Sequence, residues 1–249
     1  MPPADRGRPV VALLTDYGPG SEHVGALHAV VAAGCPGADR VDLAHDVPPG
    51  DVRAGAVLLR RLAPLVPAAV VLAVVDPGVG TERRAVAVAL APGGGVVRRG
   101  RQDDAPATFH GRDLLAPAAA RHAAGAPLAG RGEPADPAGL AAPELPPPEV
   151  GPGSLRATAV IVDRFGNVEL LAGAADLERA GFSRGDRIFA ATGERRHPAT
   201  VARAFGDVAP KAMLVHVDSH GMAAIAVNGG SAAARLPAAP GDRVSLGRW

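Results

Sequence analysis

The stretch from Pro134 to Pro152 is crowded with prolines, including Pro146–Pro147–Pro148. Proline fixes φ and lacks a backbone N–H, so such a run suits neither a helix interior nor a central strand. It predicts a linker, set at 143–153, that parts the 249 residues into domains at 1–142 and 154–249. The two sides differ in pattern. Before it, Val10–Leu14 is an apolar run that stops at Thr15-Asp16-Tyr17-Gly18. Ser21 opens and Gly34 closes a stretch with helical spacing. Arg40–Ala44 reads as a second strand, Asp51 caps a helix through Leu62, and Val70–Val75 is a third strand ending at Asp76. Apolar strands alternating with helices predict a mostly parallel sheet covered on both faces. Arg84–Leu90 reads as a further strand, and Leu114–Ala124 as a helix. After the linker, Ala157–Val162, Arg187–Ala191, Pro198–Ala204, Ala212–Val217, Ala223–Val227 and Arg243–Leu246 are short strands at close spacing. Only brief helical pieces such as Ala174–Ala180 part them, which predicts a small barrel or sandwich.

Composition narrows the function classes. Seven aromatics leave a core built from Ala, Val and Leu. A formal net charge of +1 gives no sign of a nucleic-acid or membrane partner. A single cysteine, Cys35, excludes an internal disulfide and argues against a thiolate metal cluster. The opening residues lack a charged head before a long apolar stretch, and a cytoplasmic protein is the default expectation.

In parallel α/β sheets ligands gather outside the carboxyl ends of the strands. Two strands here end in an acidic residue and a glycine turn: Thr15-Asp16-Tyr17-Gly18 and Asp76-Pro77-Gly78-Val79-Gly80-Thr81. Arg83 follows Asp76 by seven positions and can fold back across the glycines. Thr108-Phe109-His110-Gly111-Arg112-Asp113 puts a histidine in a turn entering a helix. Spacing alone favours plain turn and surface roles for all three groups, since Asp at a strand end is commonly a turn residue.

In order along the chain stand Leu14-Thr15-Asp16-Tyr17-Gly18, Asp46-Val47-Pro48-Pro49, Val75-Asp76-Pro77-Gly78-Val79-Gly80-Thr81, Thr108-Phe109-His110-Gly111-Arg112-Asp113, Asp163-Arg164-Phe165-Gly166-Asn167 and Ala226-Val227-Asn228-Gly229-Gly230. Together they resemble the S-adenosyl-L-methionine hydroxide adenosyltransferase family, relatives of the fluorinases and chlorinases. The resemblance spans both halves of the chain. It implies an α/β N-terminal domain followed by a small C-terminal β-barrel domain. It also implies a homotrimer with active sites between subunits, and hydrolysis of S-adenosyl-L-methionine to adenosine and methionine. Asp76, Arg83 and His110 match the catalytic set. Asp16 matches the residue that holds the ribose diol, Asp163 the partner of the methionine ammonium, and Asn167 the reader of the adenine edge. Phe109, Phe165, Phe205 and Asn228 are further implied substrate contacts, and Ser219 falls where the methionine carboxylate binds. No cofactor or metal is implied, and S-adenosyl-L-methionine or adenosine is the expected ligand.

Aspartate at position 76, where fluorinase-type enzymes carry tyrosine, favours water over halide, because a carboxylate repels an anion. Two departures from the family stand out. The stretch Ala91–Ala107 is short and lacks a Pro-Asp-Asn-Gly-Leu-Leu-like motif, and Gly50 replaces a larger side chain, which implies a looser pocket. Three other readings stay open: a binder of S-adenosyl-L-methionine or adenosine without turnover, a halide-using adenosyltransferase, and a metal-dependent hydrolase built on His45, Asp46 and His110.

Overall fold

The structure is a computed structural model that describes residues 7–66, 68–78, 80–81, 83–89, 109–128 and 132–249, with the backbone alone at 96–99. The chain divides into two compact units, Met1–Pro143 and Glu144–Trp249.

In the first unit, strand β1 (Val10–Thr15) is central between β2 (Asp39–Ala44) and β3 (Val70–Val74), and both pairings are parallel. Helix α1 (Glu22–Gly34) starts where Ser21 Oγ accepts from His23 N, and α2 (Val52–Leu62) where Asp51 Oδ1 accepts from Ala54 N. Successive β1 side chains point to opposite faces. Val11 and Leu13 pack with Leu27 and Val31 of α1 and with Ala116 and Ala120 of α3 (Ala116–Ala123). Leu14 packs with Val47 and Ala54 on the α2 side. Leu13 is fully buried, and burying a leucine side chain stabilises by about 2 kcal/mol relative to exposure. Gly34 lets α1 approach α3, since a Cβ there would lie 2.7 Å from Ala120 Cβ.

Among the described residues the parallel sheet has three strands. The strand expected over Arg84–Leu90 is β4 (Val86–Ala89), which joins β5 (Val96–Arg99) and β6 (Glu133–Ala135) in a separate antiparallel sheet. Leu90 lies outside the described residues, as do 91–95 and 100–107 of the shortened stretch. The helix expected from Leu114 begins earlier, as a π-helical turn over Gly111–Leu115 that runs into α3.

The second unit is a closed seven-stranded barrel. Its order is β14 (Arg243–Gly247), β10 (Arg187–Thr192), β11 (Arg195–Val201), β12 (Met213–Val217), β13 (Met222–Val227), β9 (Val168–Gly173) and β8 (Ser154–Val162), with β14 pairing β8 to close it. Closure removes exposed strand edges. Every second residue points in: Leu155, Ala157 and Ala159, then Ile188 and Ala190, then Ala223, Ile225 and Val227. The helices α4 (Ala174–Arg179) and α5 (Ala232–Arg235) are short.

Three expectations need correction. The proline-rich stretch is not devoid of regular structure: it contains β6, and β7 (Glu149–Gly151) pairs with β8. Both elements are three residues long and lie at sheet edges, where the missing proline N–H costs least. The strand expected over Pro198–Ala204 runs instead from Arg195 to Val201, because Gly193, at φ +68°, and Glu194 form a tight hairpin after β10. Its Pro198 precedes the parallel pairing with β12, which begins at Ala199. Strand β9 was not anticipated, since Glu169, its second residue, breaks the apolar pattern; that carboxylate-bearing residue is nevertheless buried.

Candidate active site

Strands β1 and β3 are parallel neighbours, so their carboxyl ends, and the turns after them, lie side by side. Asp16 follows β1, and its Oδ2 accepts from Gly50 N at 2.8 Å. Gly50 is suited to this place by its φ of +71°, and a Cβ there would lie 3.3 Å from Pro77 Cβ. Its role is therefore to offer an N–H to Asp16 and to pass close to the Asp76 turn, rather than only to leave space.

Asp76 follows β3, with its side chain 29% exposed. Its Oδ1 accepts from Gly78 N at 3.0 Å and lies 3.4 Å from Arg83 Nη1. The expected fold-back of Arg83 is thus present. Gly78 makes room for it, since a Cβ there would lie 2.8 Å from Arg83 Cδ. Thr81 steadies the same turn: its hydroxyl donates to Gly78 O and accepts from Arg83 N. Val79 and Thr108, quoted in the motifs, lie outside the described residues.

His110 precedes the π-helical turn, and π segments recur at functional sites. On either side of it, Phe109 and Gly111 both meet Tyr17. The Phe109 ring is 5.7 Å from the Tyr17 ring, and any Cβ on Gly111 would collide with Tyr17 Oη. His23 and the Arg112 guanidinium also pack on Phe109, at 4.7 and 4.8 Å. Tyr17 is the hub that motif reading left without a role. Burial, then the charges of Asp16 and of Asp76, push its phenol up to about 12. One neutral phenol therefore feels both carboxylates and touches both neighbours of His110. Gly18 beside it, at φ +86°, marked the turn; the contacts of Tyr17 were set by packing.

In the second unit, Asp163, Phe165 and Asn167 share one turn between β8 and β9. Asp163 Oδ1 accepts from Phe165 N and Asn167 N, and Oδ2 accepts from Asn167 Nδ2 at 2.7 Å. Both carboxylate oxygens organise the turn. Gly166, at φ +80°, packs against Ser231, and its carbonyl accepts from Ala233 N of α5. The Phe165 ring is 63% exposed with Arg164 over it, and Phe205 is partly exposed beside His216. Ser219 is exposed in the turn after β12, where Asp218 Oδ1 accepts from His220 N and Met222 N. Asn228 is anchored in its turn: its Nδ2 donates to Val208 O and its backbone carbonyl accepts from Lys211 N.

Residues 11–99 match the family described as SAM hydroxide adenosyltransferase N-terminal domain, and residues 157–245 match its C-terminal domain. This chain belongs to the SAM hydroxide adenosyltransferase family. Members similar to it include (R)-S-adenosyl-L-methionine hydrolase of Salinispora tropica, 45% identical with 96% of this chain and 97% of that protein covered. The protein of the same name from Thermus thermophilus is 37% identical, with 96% and 99% covered. A Thermotoga maritima crystal structure described as an uncharacterized conserved protein superposes with a TM-score of 0.84 at 31% identity, covering 96% of this chain and all of that one. Among the described residues of this family member, no helix is long and apolar enough to cross a membrane.

Proposed function

We propose that this protein hydrolyses S-adenosyl-L-methionine to adenosine and L-methionine by in-line attack of water at ribose C5′. The observation that carries the reading is the gathering of Asp16, the Asp76–Arg83 pair and the Phe109–His110–Gly111 turn around Tyr17. The names of the relatives point to the same reaction, and specify the R configuration at sulfur.

The sulfonium leaves as a neutral thioether and needs no acid. The bond from water oxygen to C5′ forms while C5′–S breaks, and the water must shed a proton. Catalysis is then a matter of holding one water in line and taking its proton. Asp76 and His110 are the acceptors in this reading, and Arg83 favours hydroxide character in the water. Asp16 accepts from the ribose diol, which its remaining lone pairs permit beside the Gly50 bond. The barrel turn of Asp163 and Asn167, with Phe165, Phe205 and Ser219, supplies adenine and methionine contacts. The trimer, with one chain's first unit and another chain's barrel each furnishing part of a site, belongs to the same proposal, as do the domain limits 1–142 and 154–249.

Incubation with S-adenosyl-L-methionine in ¹⁸O-labelled water tests this. The label is expected in the 5′-hydroxyl of adenosine, with equimolar methionine and consumption of the R epimer first. Binding without adenosine release would favour the non-catalytic reading, and a halogenated nucleoside in chloride or fluoride would favour halide transfer.

A further inference from the structure

Beside the turn that holds Asp16 lies a second cluster, His28 on α1 with Asp42 and His45 on and after the edge strand β2. One ligand atom from each lies within 4.8 Å of the others. His28 Nε2 is 2.8 Å from Asp42 Oδ1, and His45 Nε2 is 3.0 Å from the same oxygen. The His45 side chain is 9% exposed. Its Nε2 is buried, yet it makes no hydrogen bond, because the ring is not directed at the carboxylate oxygen beside it. Its other nitrogen, Nδ1, is held by Thr15 Oγ1 at 2.9 Å, a hydroxyl that is itself fully buried and that accepts from Tyr17 N.

We propose that His28, Asp42 and His45 form a binding site for a divalent transition-metal ion of the zinc class. Two imidazoles and a carboxylate are a donor set that such ions favour. Donors in a metal site aim at the ion between them; His45 Nε2 has no hydrogen bond to give up, and the 2.8 Å hydrogen bond between His28 Nε2 and Asp42 Oδ1 would give way to the ion. Tetrahedral ligands at about 2.0–2.2 Å lie about 3.3–3.6 Å apart, so the pairs at 2.8 and 3.0 Å must open by roughly half an ångström. Thr15 fixes the ring orientation from the far side, as outer partners of metal-bound histidines do. Asp42 is 47% and His28 31% exposed, which leaves an open side for entry and for a water ligand. The ion would tie α1 to β2 and hold the His45 ring against Thr15. It is a structural site that stands apart from the hydrolytic proposal, in which no step uses a metal.

The test uses the full chain, stripped with a chelator and titrated calorimetrically with zinc chloride, with cobalt chloride giving a visible absorption readout. One ion per chain is expected, with a rise in Tm. His28→Gln and Asp42→Asn, both at partly exposed positions, are each expected to weaken binding by about tenfold or more while far-UV circular dichroism stays native. His220→Gln, in the other His–Asp–Glu cluster, and His122→Gln, on α3, are expected to leave it unchanged. Absence of zinc uptake by the wild type, wild-type affinity in both His28→Gln and Asp42→Asn, or loss of uptake in His220→Gln would each overturn the proposal and leave a hydrogen-bonded His–Asp–His network.

Discussion

Arg83 Nη1 lies 3.4 Å from Asp76 Oδ1 across a turn in which Gly78 leaves the space that a side chain would fill. The pair is partly solvated, so it contributes little to stability. In the proposed reaction it holds a cation and a carboxylate together beside the attacking water. Asp76→Asn retains an acceptor for Gly78 N and removes the charge. We expect kcat to fall by about a hundredfold or more with KM little changed, measured as adenosine release under saturating substrate. An unchanged kcat would remove Asp76 from the chemistry.

Gly78→Ala tests the same geometry from the other side. The added methyl meets Arg83 Cδ at 2.8 Å, so the guanidinium must swing away from Asp76. Activity is expected to drop while Tm stays within a few degrees of wild type, because the displaced side chain is exposed.

Tyr17 is the single tyrosine of the chain, so tyrosinate absorbance reports it alone. The folded protein is expected to titrate near 12 and the denatured protein near 10.0. The sign follows from the raised folded value. The stability that the neutral phenol contributes is complete below about 10 and is lost as pH rises towards 12. Asp16→Asn should lower the folded midpoint, because it removes one of the two charges that oppose ionisation.

Gly50→Ala places a side chain at φ +71° and 3.3 Å from Pro77 Cβ. A left-handed non-glycine residue costs about 1–2 kcal/mol, which chemical denaturation will read. Relaxing that strain moves Gly50 N from Asp16, so KM for S-adenosyl-L-methionine should rise.

Asp42 titrates below the usual carboxylate range. Burial alone would raise it, but the His45 and His28 rings beside its carboxylate outweigh that. A depressed folded value means stability that is present above about pH 4 and lost as pH falls through the folded value. Asp42→Asn should flatten that acid limb in denaturation measured across pH, and wild-type steepness in the variant would contradict the assignment.

Much of the first unit was legible in the chain. Ser21, Asp51 and Gly34 are local signals, and each acts within a few residues of itself, so helix ends could be placed to within a residue or two. The strand ends at Asp16 and Asp76 were legible for the same reason. The motif order also carried the family, because it needs only residue identity. Less legible were β9, whose buried Glu169 breaks the pattern, and β7, hidden among prolines; both are strands because barrel neighbours pair with them.

By itself the sequence determined the short-range features: caps, turns, the parallel α/β pattern, and which side chains could do chemistry. Tertiary structure alone decided that Tyr17 joins Asp76 and the His110 turn, and that His45 lies beside Asp42 with its Nδ1 held by Thr15. Tyr17, Asp76 and His110 are far apart along the chain, as are Thr15 and His45, and what brings them together is the parallel pairing of β1 with β2 and β3 and the burial of its two faces. Such packing leaves no signature at any one position.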